Sequence, residues 1–89
     1  PSMINMYVGN LPKDFVTRDL FNLFDEHGWV DSLFIVDDPE TRESKGFGFV
    51  QMPDEDAKKA IKAVNGKKVK GMTLRVEEAR PQEDKKDKD

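Results

Sequence analysis

The sequence contains no cysteine, and one histidine, one tryptophan and one tyrosine among its 89 residues. Without cysteine, disulfides, thiolate metal sites and a thiol nucleophile are excluded, which fits a reducing compartment. The lone His27 has no partner set for acid–base catalysis, and at a helix end it reads as a packing or capping group. No carboxylate cluster has evident ligand spacing, so neither a metal nor a cofactor is expected. No apolar run is long enough to span a bilayer, no signal-peptide pattern is present, and no segment repeats. Positive charge is also scarce: 15 Lys and Arg stand against 18 Asp and Glu, a net charge of −3. Binding that depends on many phosphate contacts is therefore disfavoured. The chain has room for one domain with one modest core. Pro1-Ser2 ahead of Met3 reads as a cloning remnant, which makes a nearly complete small protein the expectation.

What the sequence does have is concentrated in Lys45-Gly46-Phe47-Gly48-Phe49-Val50-Gln51-Met52. Side chains of a strand alternate between faces. Lys45, Phe47, Phe49 and Gln51 therefore share one face, while Val50 and Met52 suit a core on the other. Two aromatics beside a cation on a solvent face call for a partner, and flat rings with a positive charge suit the bases and phosphates of a single strand. Met6-Tyr7-Val8-Gly9-Asn10-Leu11 repeats the pattern, with Met6 and Val8 inward and Tyr7 outward. If the two strands are neighbours, Tyr7, Phe47 and Phe49 form one three-ring surface.

The remaining periodicities supply the frame. Ile4 to Gly9 alternates as a half-buried strand, and Asn10-Leu11-Pro12 is a turn. Leu20, Leu23, Phe24 and His27 recur at helical spacing in a first helix ending at Gly28, with Phe15 and Leu20 as a hydrophobic staple and Thr17 as its cap in place of Val16. Trp29 to Val36 is a second strand with an irregularity between Val30 and Leu33, which turns Ser32, Phe34 and Val36 toward the rings. Asp37 to Ser44 is a polar connection, long enough to be mobile. After Lys45 to Met52, Asp54 is expected to cap a second helix that buries Ala57, Ala60, Ile61 and Val64 and ends at Asn65-Gly66. A hairpin around Lys67 to Gly71 precedes a last strand, Thr73 to Glu78, with Arg75 and Glu77 outward. The class is α+β: a ferredoxin-like β-α-β-β-α-β sandwich, a four-stranded antiparallel sheet with both helices on one face. Acidic residues gather on the helices, which predicts an acidic back and a mildly basic front. The domain is expected over 3–81, with 82–89 a disordered charged tail.

These two strand segments together resemble the signature motifs of the RNA recognition motif family. The longer signature is basic-Gly-aromatic-Gly/Ala-Phe-Val-x-aromatic, and Lys45 to Met52 fits seven of its eight positions. Only Met52 departs, at a core position. The resemblance runs from about Met3 to Pro81 and is to the small single-domain type found in bacteria, and also to the corresponding part of plant glycine-rich proteins. It implies that the Tyr7 and Phe49 positions stack successive bases, that Phe47 packs on the riboses between them, and that Lys45 meets a phosphate. It also implies base-reading by backbone groups from Ala79 to Pro81.

Asn5, Gln51, Arg75 and Glu77 form the rim of the ring surface, Phe34 extends it toward one edge, and Arg80 stands at its exit. Glu77, an acceptor only, either favours bases with exocyclic amines or pairs with Arg75 or Lys45 across strands. Trp29 is an edge shield or an extra stacking group, and Phe21 a boundary residue or a protein contact. Asp37, Asp38, Glu40 and Glu43 are acidic where the family commonly has a base. Arg42, Lys67, Lys68 and Lys70 are the compensating cations or simply solvated surface. The expected function is binding of single-stranded RNA, with single-stranded DNA left open, by a monomer without catalysis or membrane attachment. The expected location is cytoplasmic, or nuclear for a fragment of a eukaryotic protein. The alternative is a protein-interaction module on the same fold.

Overall fold

A computed structural model of the protein describes residues 2–79. Along the chain run β1 (Met3–Gly9), α1 (Thr17–Asp25), β2 (Ser32–Asp37), β3 (Ser44–Pro53), α2 (Asp54–Val64), β4 (Lys68–Val69), β5 (Met72–Thr73) and β6 (Arg75–Glu78). β2, β3, β1 and β6 form one antiparallel sheet in that order, so the two strands rich in aromatics are its centre. Both helices pack on the same face, α1 against β2 and α2 against β1, β3 and β6.

The alternation in β1 and β3 builds the core directly. Met6, Val8, Val50 and Met52 are fully buried beneath Leu20 and Phe24 of α1 and Ala57, Ala60 and Val64 of α2. Leu11, Phe15, Leu74 and Val76 complete this cluster, and Ile61 packs against it half-buried. With one face of the central strands spent on this core, the other face carries no helix among the described residues.

Local boundaries differ from expectation in instructive ways. Thr17 does not cap α1: Val16 holds the cap position without a side-chain bond, and the Asp19 carboxylate accepts from the Val16 N–H at 3.0 Å. This is half of a capping box, with Phe15 and Leu20 both buried at the positions of a staple. α1 ends at Asp25, and a turn carries the chain to Gly28 at φ 150°. There the Asp56 side chain occupies the space a Cβ would need, while its carboxylate accepts the Trp29 N–H at 3.0 Å. Asp54 is the first residue of α2 rather than its cap; Pro53 stands before it, and the Asp54 N–H donates to the Ser2 carbonyl at 2.9 Å. Three acids in that first turn favour the positive helix end.

The irregularity in β2 falls between Ile35 and Asp37, not between Val30 and Leu33, because Val30 lies ahead of a strand that begins at Ser32. The polar connection to β3 is closed by its own hydrogen bonds: Asp38 Oδ1 accepts from the N–H groups of Glu40 and Thr41 at 2.8 and 3.2 Å. The expected hairpin is β4–β5, turning through Lys70 and Gly71 at φ 50° and 83°, the left-handed pair a tight hairpin requires. Leu74 falls outside β6 because its N–H and carbonyl bond to Lys67 and Gly66. Among the described residues, no helix is long and apolar enough to cross a membrane. The expected tail, 82–89, lies outside the described residues.

Candidate nucleic-acid interface

Strand register assembles the open face into rows. Phe34, Phe49, Tyr7 and Glu77 lie side by side across all four strands of the sheet. Ser32, Gln51 and Asn5 form the row on one side, and Phe47, Gly9 and Arg75 the row on the other. The rings are close: Tyr7 is 5.7 Å from Phe47 and 5.9 Å from Phe49, and Phe47 is 6.2 Å from Phe49. Phe34 is 54% exposed and lies 5.5 Å from Phe49 with the ring planes 31° apart. Such tilted and edge-on pairs hold each other in place. Tyr7, Phe47 and Phe49 remain partly open to solvent because no element among the described residues covers this face.

Gly9 is what lets Tyr7 lie along the sheet. A methyl built on it would stand 2.5 Å from the Tyr7 Oη. Sequence reasoning did not single out Gly9 as part of the site; its place one turn of alternation beyond Tyr7 was the available signal. Ser32, expected to face the rings but given no role, donates its hydroxyl to Gln51 Oε1 at 3.2 Å.

Charges on the face are few. Lys45 is exposed at the start of β3. Arg75 and Glu77, both exposed on β6, meet through Nε and Oε2 at 3.4 Å; Arg75 was an expected partner of Glu77, but the pair forms within one strand rather than across strands. The Ala79 N–H donates to the Asn5 carbonyl at 2.7 Å and is therefore engaged within the sheet. Arg80 lies outside the described residues. Acids sit where the composition suggested, with Asp19 and Asp25 on α1 and Asp54, Glu55 and Asp56 on α2.

Other candidates stand apart. Trp29 is 67% exposed beyond the end of α1 and forms no ring pair with the face among the described residues. Phe21 is 41% exposed on α1, beside Leu33 of β2. Lys70 pairs with Asp14 at 3.0 Å, and Arg42 lines a groove with Lys13, Asp37 and Glu43. Among the described residues, no group of His, Cys, Asp or Glu is arranged to hold a metal ion.

Comparison with known proteins places this geometry in a family. The chain is 49% identical over 72 residues to the 28 kDa chloroplast ribonucleoprotein of Spinacia oleracea, which covers 80% of this chain and 31% of that protein. It is 40% identical over 83 residues to RbpE of Nostoc sp., covering 92% and 84% of the two. The solved Sxl-lethal protein/RNA complex matches its fold with a TM-score of 0.84 at 37% identity, over 90% of this chain and 48% of that one. The RNA recognition motif is matched over residues 6–75, from the strand bearing Tyr7 to the strand bearing Arg75, and on this match the chain belongs to that family.

Proposed function

We propose that this domain binds single-stranded RNA by stacking successive bases on Tyr7 and Phe49, with Phe47 against the riboses between them and Lys45 on a phosphate. The observation that carries this reading is the trio of rings within 6.2 Å of one another on a sheet face that no element among the described residues covers. The matched complex of a relative with RNA supports it. Asn5, Gln51, Arg75, Glu77 and the carbonyl of Ala79 ring the trio and read base edges, and Phe34 widens the stacking surface. Each stacked base contributes about 1–3 kcal/mol, so two bases and one or two phosphates give roughly micromolar affinity for about two to four nucleotides. The module acts as a monomer, by binding alone and without chemistry, and the same ring surface is open to single-stranded DNA as well as RNA. A bacterial-type cytoplasm is the expected setting, in keeping with the relative from Nostoc.

The test is an NMR titration with short RNA and matching DNA. Addition of RNA should shift resonances of Tyr7, Phe47 and Phe49 in fast exchange. Shifts confined to Phe21 and α1 upon adding a protein partner, with the sheet silent toward RNA, would favour the interaction-module reading instead.

A further inference from the structure

Stacking on Tyr7 does not account for the two charged side chains that flank it. Tyr7 pairs with Glu77 across β1 and β6, and Gly9 pairs with Arg75. The Tyr7 ring leans along β1 over Gly9, where an added methyl would meet its Oη at 2.5 Å. Glu77 leans the same way along β6, since its Oε2 stands 3.4 Å from Arg75 Nε. Carboxylate and guanidinium thus meet on β6, alongside the stretch of β1 that the ring overlies. The Arg75 and Glu77 side chains are 70% and 54% exposed, and their single long contact is weak enough to rearrange around a ligand.

The pair offers a particular pattern to the edge of a base lying on Tyr7. The guanidinium supplies donors and the carboxylate supplies two acceptors. Guanine is the one common base whose Watson–Crick edge has two adjacent donors, N1–H and the N2 amine, next to an acceptor, O6. Adenine and cytosine set an acceptor nitrogen beside their amine, and uracil sets its N3–H between two carbonyls; a carboxylate is repelled by each of those acceptors. A carboxylate accepting from N1–H and N2–H, with a guanidinium donating to O6, reproduces what cytosine offers guanine in a base pair. A carboxylate on this face otherwise opposes an anionic ligand, and two charge-assisted hydrogen bonds offset that repulsion.

We propose that Arg75 and Glu77 select guanine for the base stacked on Tyr7. This inference rests on the RNA-binding reading above. Its test uses fluorescence anisotropy with labelled hexauridylate and with versions carrying one central guanosine, inosine or adenosine. Inosine keeps N1–H and O6 but lacks the N2 amine. The protein should bind the guanosine version about tenfold more tightly than the adenosine version, with inosine between them. Glu77→Ala, and Glu77→Gln, which replaces one acceptor with a donor, should bring the three within about twofold of one another. Heteronuclear NMR spectra establish that both variants are folded, and the ratio of Kd values is the readout. Equal binding of the three by the protein, or a guanosine preference that survives Glu77→Ala, overturns the selection of guanine and leaves RNA binding standing. Failure to bind any of the oligonucleotides overturns the RNA-binding reading itself.

Discussion

Phe49 and Val50 are neighbours in β3 that face opposite ways, so truncating each to alanine separates ligand binding from folding. Phe49→Ala removes the ring that stands 5.5 Å from Phe34, 5.9 Å from Tyr7 and 6.2 Å from Phe47. Loss of one stacked base, about 1–3 kcal/mol, raises Kd for a short single-stranded RNA about 5- to 150-fold. Ring pairs at the open face contribute toward the low end of their range, so the same change lowers stability by about 1–2 kcal/mol. Val50→Ala deletes two methyl groups from a side chain that is fully buried. At about 0.8 kcal/mol per buried carbon plus a small cavity, it costs about 2 kcal/mol, or a Tm lowered by about 8–16 °C. The two variants thus lose similar stability, and only Phe49→Ala loses affinity. Thermal melts by circular dichroism give the first quantity, and anisotropy well below both midpoints gives the second. The reasoning is refuted if Phe49→Ala binds within about twofold of the parent protein, or if folded Val50→Ala loses as much affinity as Phe49→Ala.

Two of the strand glycines, Gly9 and Gly48, respond differently to an added methyl. Gly9→Ala pushes the Tyr7 ring off the sheet, since the atoms in its way are the far end of a movable side chain. Affinity should fall about five- to tenfold with a Tm change below about 5 °C, as read by anisotropy and thermal melts. Gly48→Ala instead drives its methyl into the Phe34 carbonyl oxygen. It should destabilise the domain by about 3 kcal/mol or more in urea unfolding, with loss of β2 amide protection. With so few cations on the face, log affinity should fall with log salt at a slope of about −1.4, and Lys45→Ala should bring it to about −0.7; an unchanged slope removes Lys45 from phosphate contact.

Period-two alternation made the central strands and their two faces legible, because each side chain in β1 and β3 obeys it. Tyr7, Phe47 and Phe49 followed once the strands were taken as neighbours, a pairing the family resemblance supplied and the register of Tyr7 with Phe49 realises. Register itself is a long-range property. Nothing local in the sequence aligned Phe34 and Glu77 with that pair, or set Gly9 beneath the phenol ring. Caps were misread for the opposite reason, since local preference was followed where the fold overrides it. Thr17 and Asp54 have good capping chemistry, yet burial of Phe15 and Leu20 sets the start of α1 one residue earlier, and β3 runs through Pro53 directly into α2. The β2 irregularity was misplaced because Val30 and Leu33 both pack on the core, one before the strand and one within it.

The position of the lone indole has an optical consequence. Trp29 sits by the Asp56 end of α2 and forms no ring pair with the sheet among the described residues. Under ultraviolet excitation its emission dominates, so the native glow of the protein follows melting at the helical end. An RNA strand confined to the ring surface leaves that emission flat while the sheet saturates, and a quiet cuvette there is no sign of an idle protein.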